Sequence, residues 1–212
     1  MKKFFLATVL ALVLSVQSFC SAATISEAHF RGNDNLIYPV VHMADAAIES
    51  KINGKIQTEI QSFIKQMHYA AQYDGQKVTF MSTSYEVGSN ESGGTVILSI
   101  VITESSNYEG AAHPSTVKHA LNFNTSSGTL MGMDYLTEVG EGVSPEEFRN
   151  RIERALVKHC RREGIQLFDN ALPLKQLPQE FYWDANLHIH FIFNHYDVAP
   201  YAAGIIDVDI DA

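Results

Sequence analysis

The stretch Asp45-Ala46-Ala47-Ile48-Glu49-Ser50-Lys51-Ile52-Asn53-Gly54-Lys55-Ile56-Gln57-Thr58-Glu59-Ile60-Gln61-Ser62-Phe63-Ile64 places an isoleucine at every fourth position from 48 to 64. With Phe63 and Met67 alongside, this apolar stripe predicts one long amphipathic helix from about 45 to 71. Such a stripe has to be covered, and a sheet is the expected cover. Gly54 costs the helix about 1 kcal/mol relative to alanine, which packing of the stripe is expected to override.

Downstream, after the turn Tyr73-Asp74-Gly75, residues 77–87 read as a strand, and Val96, Leu98, Ile100 and Ile102 form the alternating apolar face of a second. The glycine-rich turn from Gly88 to Gly94 makes the two a hairpin. A third strand carries Val117, Leu121 and Phe123 on one face with His119 among them, and ends at Ser126-Ser127-Gly128. Ser144-Pro145-Glu146-Glu147 combines an N-cap serine, a proline in the first turn and a glutamate placed for a capping box, so a second helix starts there. Phe148, Ile152, Ala155 and Leu156 keep its spacing until Gly164 stops it.

Residues 165–180, with Pro173 and Pro178, read as a loop. Leu187, Ile189, Phe191 and Phe193 then alternate with His188, His190 and Asn194, and Ile206, Val208 and Ile210 with Asp207, Asp209 and Asp211, giving two more strands. The order αβββαββ predicts an α+β fold: an antiparallel sheet of about five strands with two main amphipathic helices side by side on one face. Residues 24–212 are expected to form a single domain with sub-modules of about 24–105 and 106–212, and no internal repeat is seen.

Toward the N-terminus, Met1-Lys2-Lys3 precedes 13 uncharged, mostly apolar residues from Phe4 to Val16, then Ser21, Ala22 and Ala23. This is the order of a secretory signal, with cleavage expected after Ala22 or Ala23 and an extracytoplasmic destination, periplasmic or secreted. Spanning a bilayer takes roughly 20 residues, so no stable membrane insertion is expected after cleavage. Phe19 before Cys20 is too bulky for a lipoprotein processing site.

Without Lys2 and Lys3, 13 basic residues face 24 acidic ones and the formal charge moves from -9 to -11, which argues against a nucleic-acid partner and suits a cationic one. Cys160 is then the one remaining cysteine, so no intramolecular disulfide is available, and its place on the apolar stripe of the second helix predicts a buried, inert thiol.

No serine or cysteine sits in a nucleophile elbow, and no phosphate-cradling glycine loop or carboxylate pair stands out, so no enzyme activity and no cofactor are expected. His113 and His119 superficially resemble the metal motif of polysaccharide deacetylases, but they lie six apart with Pro114 after the first rather than four apart with proline after the second. His188 and His190 share one side of a strand, roughly 7 Å apart, and with Asp184, His195 or Asp197 as third ligand would make a metal-assisted hydrolase the alternative. The acidic row Asp207, Asp209 and Asp211 reads as a solvated face, and Tyr182, Trp183, Tyr196 and Tyr201 suit either core packing or recognition of proteins and sugars.

Two stretches carry a family resemblance: Asn107-Tyr108-Glu109-Gly110-Ala111-Ala112-His113-Pro114, followed by Leu121-Asn122-Phe123 and Ser127-Gly128-Thr129-Leu130, and later Tyr196-Asp197-Val198-Ala199-Pro200-Tyr201-Ala202-Ala203-Gly204. They resemble the C-terminal module of RsiV-type anti-sigma factor ectodomains. Ile37-Tyr38-Pro39-Val40 and Lys51-Ile52-Asn53 resemble the companion module that also precedes the catalytic domain of PdaC-type peptidoglycan deacetylases. The resemblance implies an extracytoplasmic α+β module that binds lysozyme-like proteins or cell-wall glycan at the envelope. It makes Tyr108, His113, Tyr196 and Tyr201 the candidate ligand-binding residues, with Gly110, Pro114, Pro200 and Gly204 shaping the backbone. Neither a sigma-binding segment nor a deacetylase domain is recognisable in these 212 residues, so signalling and deacetylation are not expected to carry over.

Overall fold

A computed structural model describes residues 23–139 and 144–212; the expected leader up to Ala22, with Cys20, lies outside the described residues. Two strands that the sequence pattern did not announce, β1 (Thr24–His29) and β2 (Ile37–His42), form an antiparallel hairpin. Asp45 then caps the long helix α1 (Ala46–Tyr73), its Oδ1 accepting from the N–H groups of Ala47 and Ile48 at 2.8 and 3.1 Å. The helix passes Gly54 without a break because the stripe is anchored on both sides of it: Ile52, Ile56 and Ile60 are fully buried. At about 2 kcal/mol per buried isoleucine, this outweighs the glycine penalty. Asn53 fastens the hairpin to the helix, accepting from Val41 N–H at 2.8 Å and donating to the Val41 carbonyl at 2.7 Å.

The stripe covers an antiparallel sheet of β3 (Val78–Asn90), β4 (Ile97–Tyr108), β5 (Ser115–Asn124) and β6 (Thr129–Leu130), in that order. Leu98, Ile100 and Ile102 of β4 and Leu121 and Phe123 of β5 meet the α1 isoleucines in one core. Val96, expected on that face, precedes β4 and is exposed.

A second core lies around α3 (Pro145–Glu163), which follows the short α2 (Met133–Val139). The N-cap and C-terminal stop hold: Ser144 Oγ accepts from Glu147 N–H at 3.1 Å, and Gly164 closes the helix at φ 69°. Phe148, Ile152, Leu156 and Cys160 pack on an antiparallel sheet of β7 (Phe181–Trp183), β8 (Ile189–Phe193) and β9 (Ile206–Asp209). The architecture is therefore α+β and antiparallel, but with sheets of two, four and three strands instead of one of about five. Nor do the two long helices share a face, since α1 and α3 serve separate cores.

Strand β7 joins the two parts by crossing the back of the four-stranded sheet. Asn122 Nδ2 donates to the Phe181 carbonyl at 2.6 Å, Ser99 Oγ donates to Asn122 Oδ1 at 2.7 Å, and Trp183 N–H donates to Ser99 Oγ at 3.1 Å. All three bonds are buried, which makes them costly to leave unmade. Among the described residues, no helix is long and apolar enough to cross a membrane.

Candidate functional site

Three of the four residues singled out in sequence meet where the segment before β5 faces the β8–β9 connection. His113 enters from Ala112-His113-Pro114, and its Nδ1–H donates to the Pro114 carbonyl at 3.0 Å. A carbonyl only accepts, so Nδ1 carries the proton and Nε2 is left to accept from the Tyr196 hydroxyl, also at 3.0 Å. The His113 ring stacks on Tyr201 with centroids 3.5 Å apart, His195 stacks on Tyr201 at 4.2 Å, and the Tyr201 hydroxyl donates to the same Pro114 carbonyl at 3.0 Å. Tyr196 sits in a tight turn at φ 69°, a left-handed backbone uncommon for a bulky side chain, and is 55% exposed. The clasp therefore holds a tyrosine ring out to solvent. Tyr108 does not join it: its hydroxyl lies 3.4 Å from Met67 Sδ, against the first core.

Beside Tyr196 opens a cleft of about 780 Å³ beneath the 168–180 segment, whose lining includes Gln176, Gln179, Glu180, Asn194, Tyr196 and Asp197. Burial raises the Asp197 carboxyl above its usual range, opposed by the hydrogen bond it accepts from Asn194 N–H at 2.7 Å. With Asn194 and Glu180 engaged by β5, the Gln176 and Gln179 amides, the Asp197 carboxyl and the Tyr196 ring are what a hydroxyl-rich or cationic ligand would meet.

His188 and His190 do not converge on one point. Each ring turns to an aspartate of β9 or its end: His188 Nδ1 lies 2.9 Å from Asp209 Oδ2, and His190 Nδ1 lies 2.8 Å from Asp207 Oδ1. Asp207 also accepts from the Tyr182 hydroxyl at 2.9 Å, and burial, reinforced by the Asp207 charge, pushes that phenol above its ordinary value. Of the third ligands expected, Asp184 alone lies close, its Oδ2 3.8 Å from His190 Nε2, and no convergent group that holds both imidazoles forms among the described residues. Asp184 accepts from the N–H groups of Asn186 and His188, His195 stacks on Tyr201, and Asp197 closes the Asn194 turn.

A different group, missed in the sequence, assembles Glu59 of α1, Glu104 of β4 and His119 of β5, with one donor atom of each within 4.8 Å of the others. Glu180, just before β7, holds His119 from behind, its Oε1 3.2 Å from Nδ1, while its Oε2 accepts from Ala120 N–H at 2.7 Å. The available signal was one of parity: Glu104 continues the inward series Leu98, Ile100, Ile102, and His119 lies between Val117 and Leu121.

Comparison with known proteins agrees with the resemblance read from the sequence. Residues 33–116 match the family described as "Deacetylase PdaC", and residues 135–212 match "Protein of unknown function (DUF3298)". Together the two matches support a PdaC/DUF3298 module. A DUF3298 family protein from Pseudomonas aeruginosa PAO1 superimposes with a TM-score of 0.54 at 12% identity, covering 89% of this chain and 88% of that one. A DUF3298 family member from Bacteroides fragilis NCTC 9343 does so with a TM-score of 0.51 at 14% identity, covering 88% and 87%. At such identities the likeness is one of fold. No curated protein matches the chain.

Mapped onto the PdaC/DUF3298 module, both residue groups cross the family boundary. His113 falls in the PdaC segment and Tyr196 and Tyr201 in the DUF3298 segment, so the clasp needs both. Glu59 and Glu104 belong to the first segment, Glu180 to the second, and His119 lies between them.

Proposed function

We propose that this PdaC/DUF3298 module is a non-catalytic, exported binding protein of the cell envelope, and that it engages its partner through the His113–Tyr196–Tyr201 clasp and the adjoining cleft. The reading rests on one observation above all: an exposed tyrosine is held in an uncommon backbone conformation, by a histidine 83 residues away, at the rim of a polar cleft. Rigid aromatics beside adaptable amides are the usual makings of a recognition surface. The resemblance to RsiV-type ectodomains and the net charge of -9 favour a basic, lysozyme-like protein as that partner. The volume and lining of the cleft favour a second reading, a cell-wall glycan whose ring would stack on Tyr196.

Biolayer interferometry against a c-type lysozyme at about 50 and 300 mM salt, with an equally basic unrelated protein as control, tests the first reading. Saturable binding at both salts, absent for the control and weakened at least about tenfold by Tyr196→Ala, is expected. Titration with soluble peptidoglycan fragments tests the second. Indifference of the protein to both ligands, or binding that salt erases and the control shares, removes the proposal.

A further inference from the structure

We propose that Glu59, Glu104 and His119 form a binding site for one divalent transition-metal cation, of which Zn²⁺ matches the donors best. Two carboxylates and one imidazole are a ligand set that zinc accepts, with a fourth position left to water. The inference stands on residues apart from the clasp and does not depend on the reading given above.

Three observations carry it. The first is distance. His119 Nε2 lies 3.8 Å from Glu104 Oε2, too long for a hydrogen bond, and all three donor atoms lie within 4.8 Å. Ligand atoms about 2.0–2.2 Å from a tetrahedral zinc stand roughly 3.3 Å apart, so small side-chain rotations would close the set.

The second is an unmet need. The Glu104 side chain is only 8% exposed, and its Oε1 has no hydrogen-bond partner. A buried carboxylate oxygen without a donor is costly, and a cation would satisfy it.

The third is orientation. The Glu180 carboxylate only accepts, so in neutral His119 the proton sits on Nδ1 and the Nε2 lone pair faces Glu104. A carboxylate behind a histidine is the usual outer support of a zinc-binding imidazole. Here Glu180 is itself fixed by Ala120 N–H. His119 and Glu59 are partly exposed, which gives an ion a way in.

Tag-free full chain, stripped with chelator, should be titrated with ZnCl₂ by isothermal calorimetry near neutral pH, with thermal melting in parallel. One ion per chain and a raised Tm are expected, with binding lost in His119→Ala and Glu104→Gln. Glu59→Gln, a change on the helix surface, should weaken binding at least about tenfold while circular dichroism stays unchanged. His188→Ala/His190→Ala should bind as the unaltered chain does. No saturable heat up to about 100 µM Zn²⁺ would overturn the assignment. So would binding that survives His119→Ala and Glu59→Gln, or that disappears with His188 and His190.

Discussion

Asn194 brackets the backbone of Lys118: its Oδ1 accepts from Lys118 N–H at 2.8 Å, and its Nδ2 donates to the Lys118 carbonyl at 3.0 Å. One side chain thus replaces a rung of sheet on the outer edge of β5. Glu180 does the same one register step on at Ala120 N–H, and β6 covers only Phe123 and Asn124. The edge is closed piecemeal, by side chains from the second half of the chain. Asn194→Ala strips both bonds from a part-buried strand and should cost about 1–3 kcal/mol in urea unfolding. Asn194→Asp keeps the bond from Lys118 N–H but sets a carboxylate oxygen against the Lys118 carbonyl, so it should destabilise as well; a shift under about 0.5 kcal/mol for both variants would show that the bracket contributes little.

Gly88 of β3 lies against the backbone of β7, where a Cβ would stand inside contact distance of the Trp183 carbonyl oxygen. The obstacle is main chain and cannot turn aside. Gly88→Ala is therefore expected to push β7 off the sheet and lower stability by about 2–3 kcal/mol, and Gly54→Ala, which meets nothing, should be neutral or stabilising. Thermal melts of the two variants side by side check this, and equal melts would contradict it.

Stability should also depend on pH through His190. Its hydrogen bond to Asp207 raises the imidazole pKa from 6.5, against the effect of burial and with help from Asp209 and Asp184. Lys158, His159 and Arg162 of α3 line the same small cavity. An imidazole raised on folding contributes in full below its unfolded value and loses that contribution as pH climbs through the folded one. The Tm gap between the unaltered chain and Asp207→Asn should then be wider at about pH 5.5 than at about pH 9. A gap that is constant across this range would show that the ion pair is not formed.

Cys160 is 3% exposed, and burial raises its thiol above the ordinary value. Maleimide labelling of the folded chain from Thr24 onward, where Cys160 is the one thiol, should be negligible over an hour at neutral pH and complete in denaturant. Labelling at the same rate in both states would place the thiol at the surface instead.

The parts legible in sequence were those whose signal is local and repeated. The four-residue isoleucine period gave α1, Ser144 and Gly164 bounded α3, and alternation gave β4, β5, β8 and β9. Strand β7 has three residues, too few for a period to show, and in sequence its Tyr182 and Trp183 stand out only as part of an aromatic group. Without it, the remaining strands had no reason to separate into distinct sheets. The clasp was half legible: His113, Tyr196 and Tyr201 came from the resemblance, but Tyr108 follows the inward parity of β4 and belongs to the core. Glu59, Glu104 and His119 are brought together by packing between a helix and two strands, and no spacing along the chain encodes that.

Strand β7 has two allegiances: by hydrogen-bond pairing it belongs to β8, and by its buried contacts with Ser99 and Asn122 it belongs to the sheet in front. A chain severed between the two matched segments would leave Ser99 and Asn122 without their partners on one fragment and the Phe181 carbonyl without its donor on the other. Either fragment alone should therefore be less stable than the intact chain. What the junction makes indivisible is the folding unit, which in this chain is larger than either family segment.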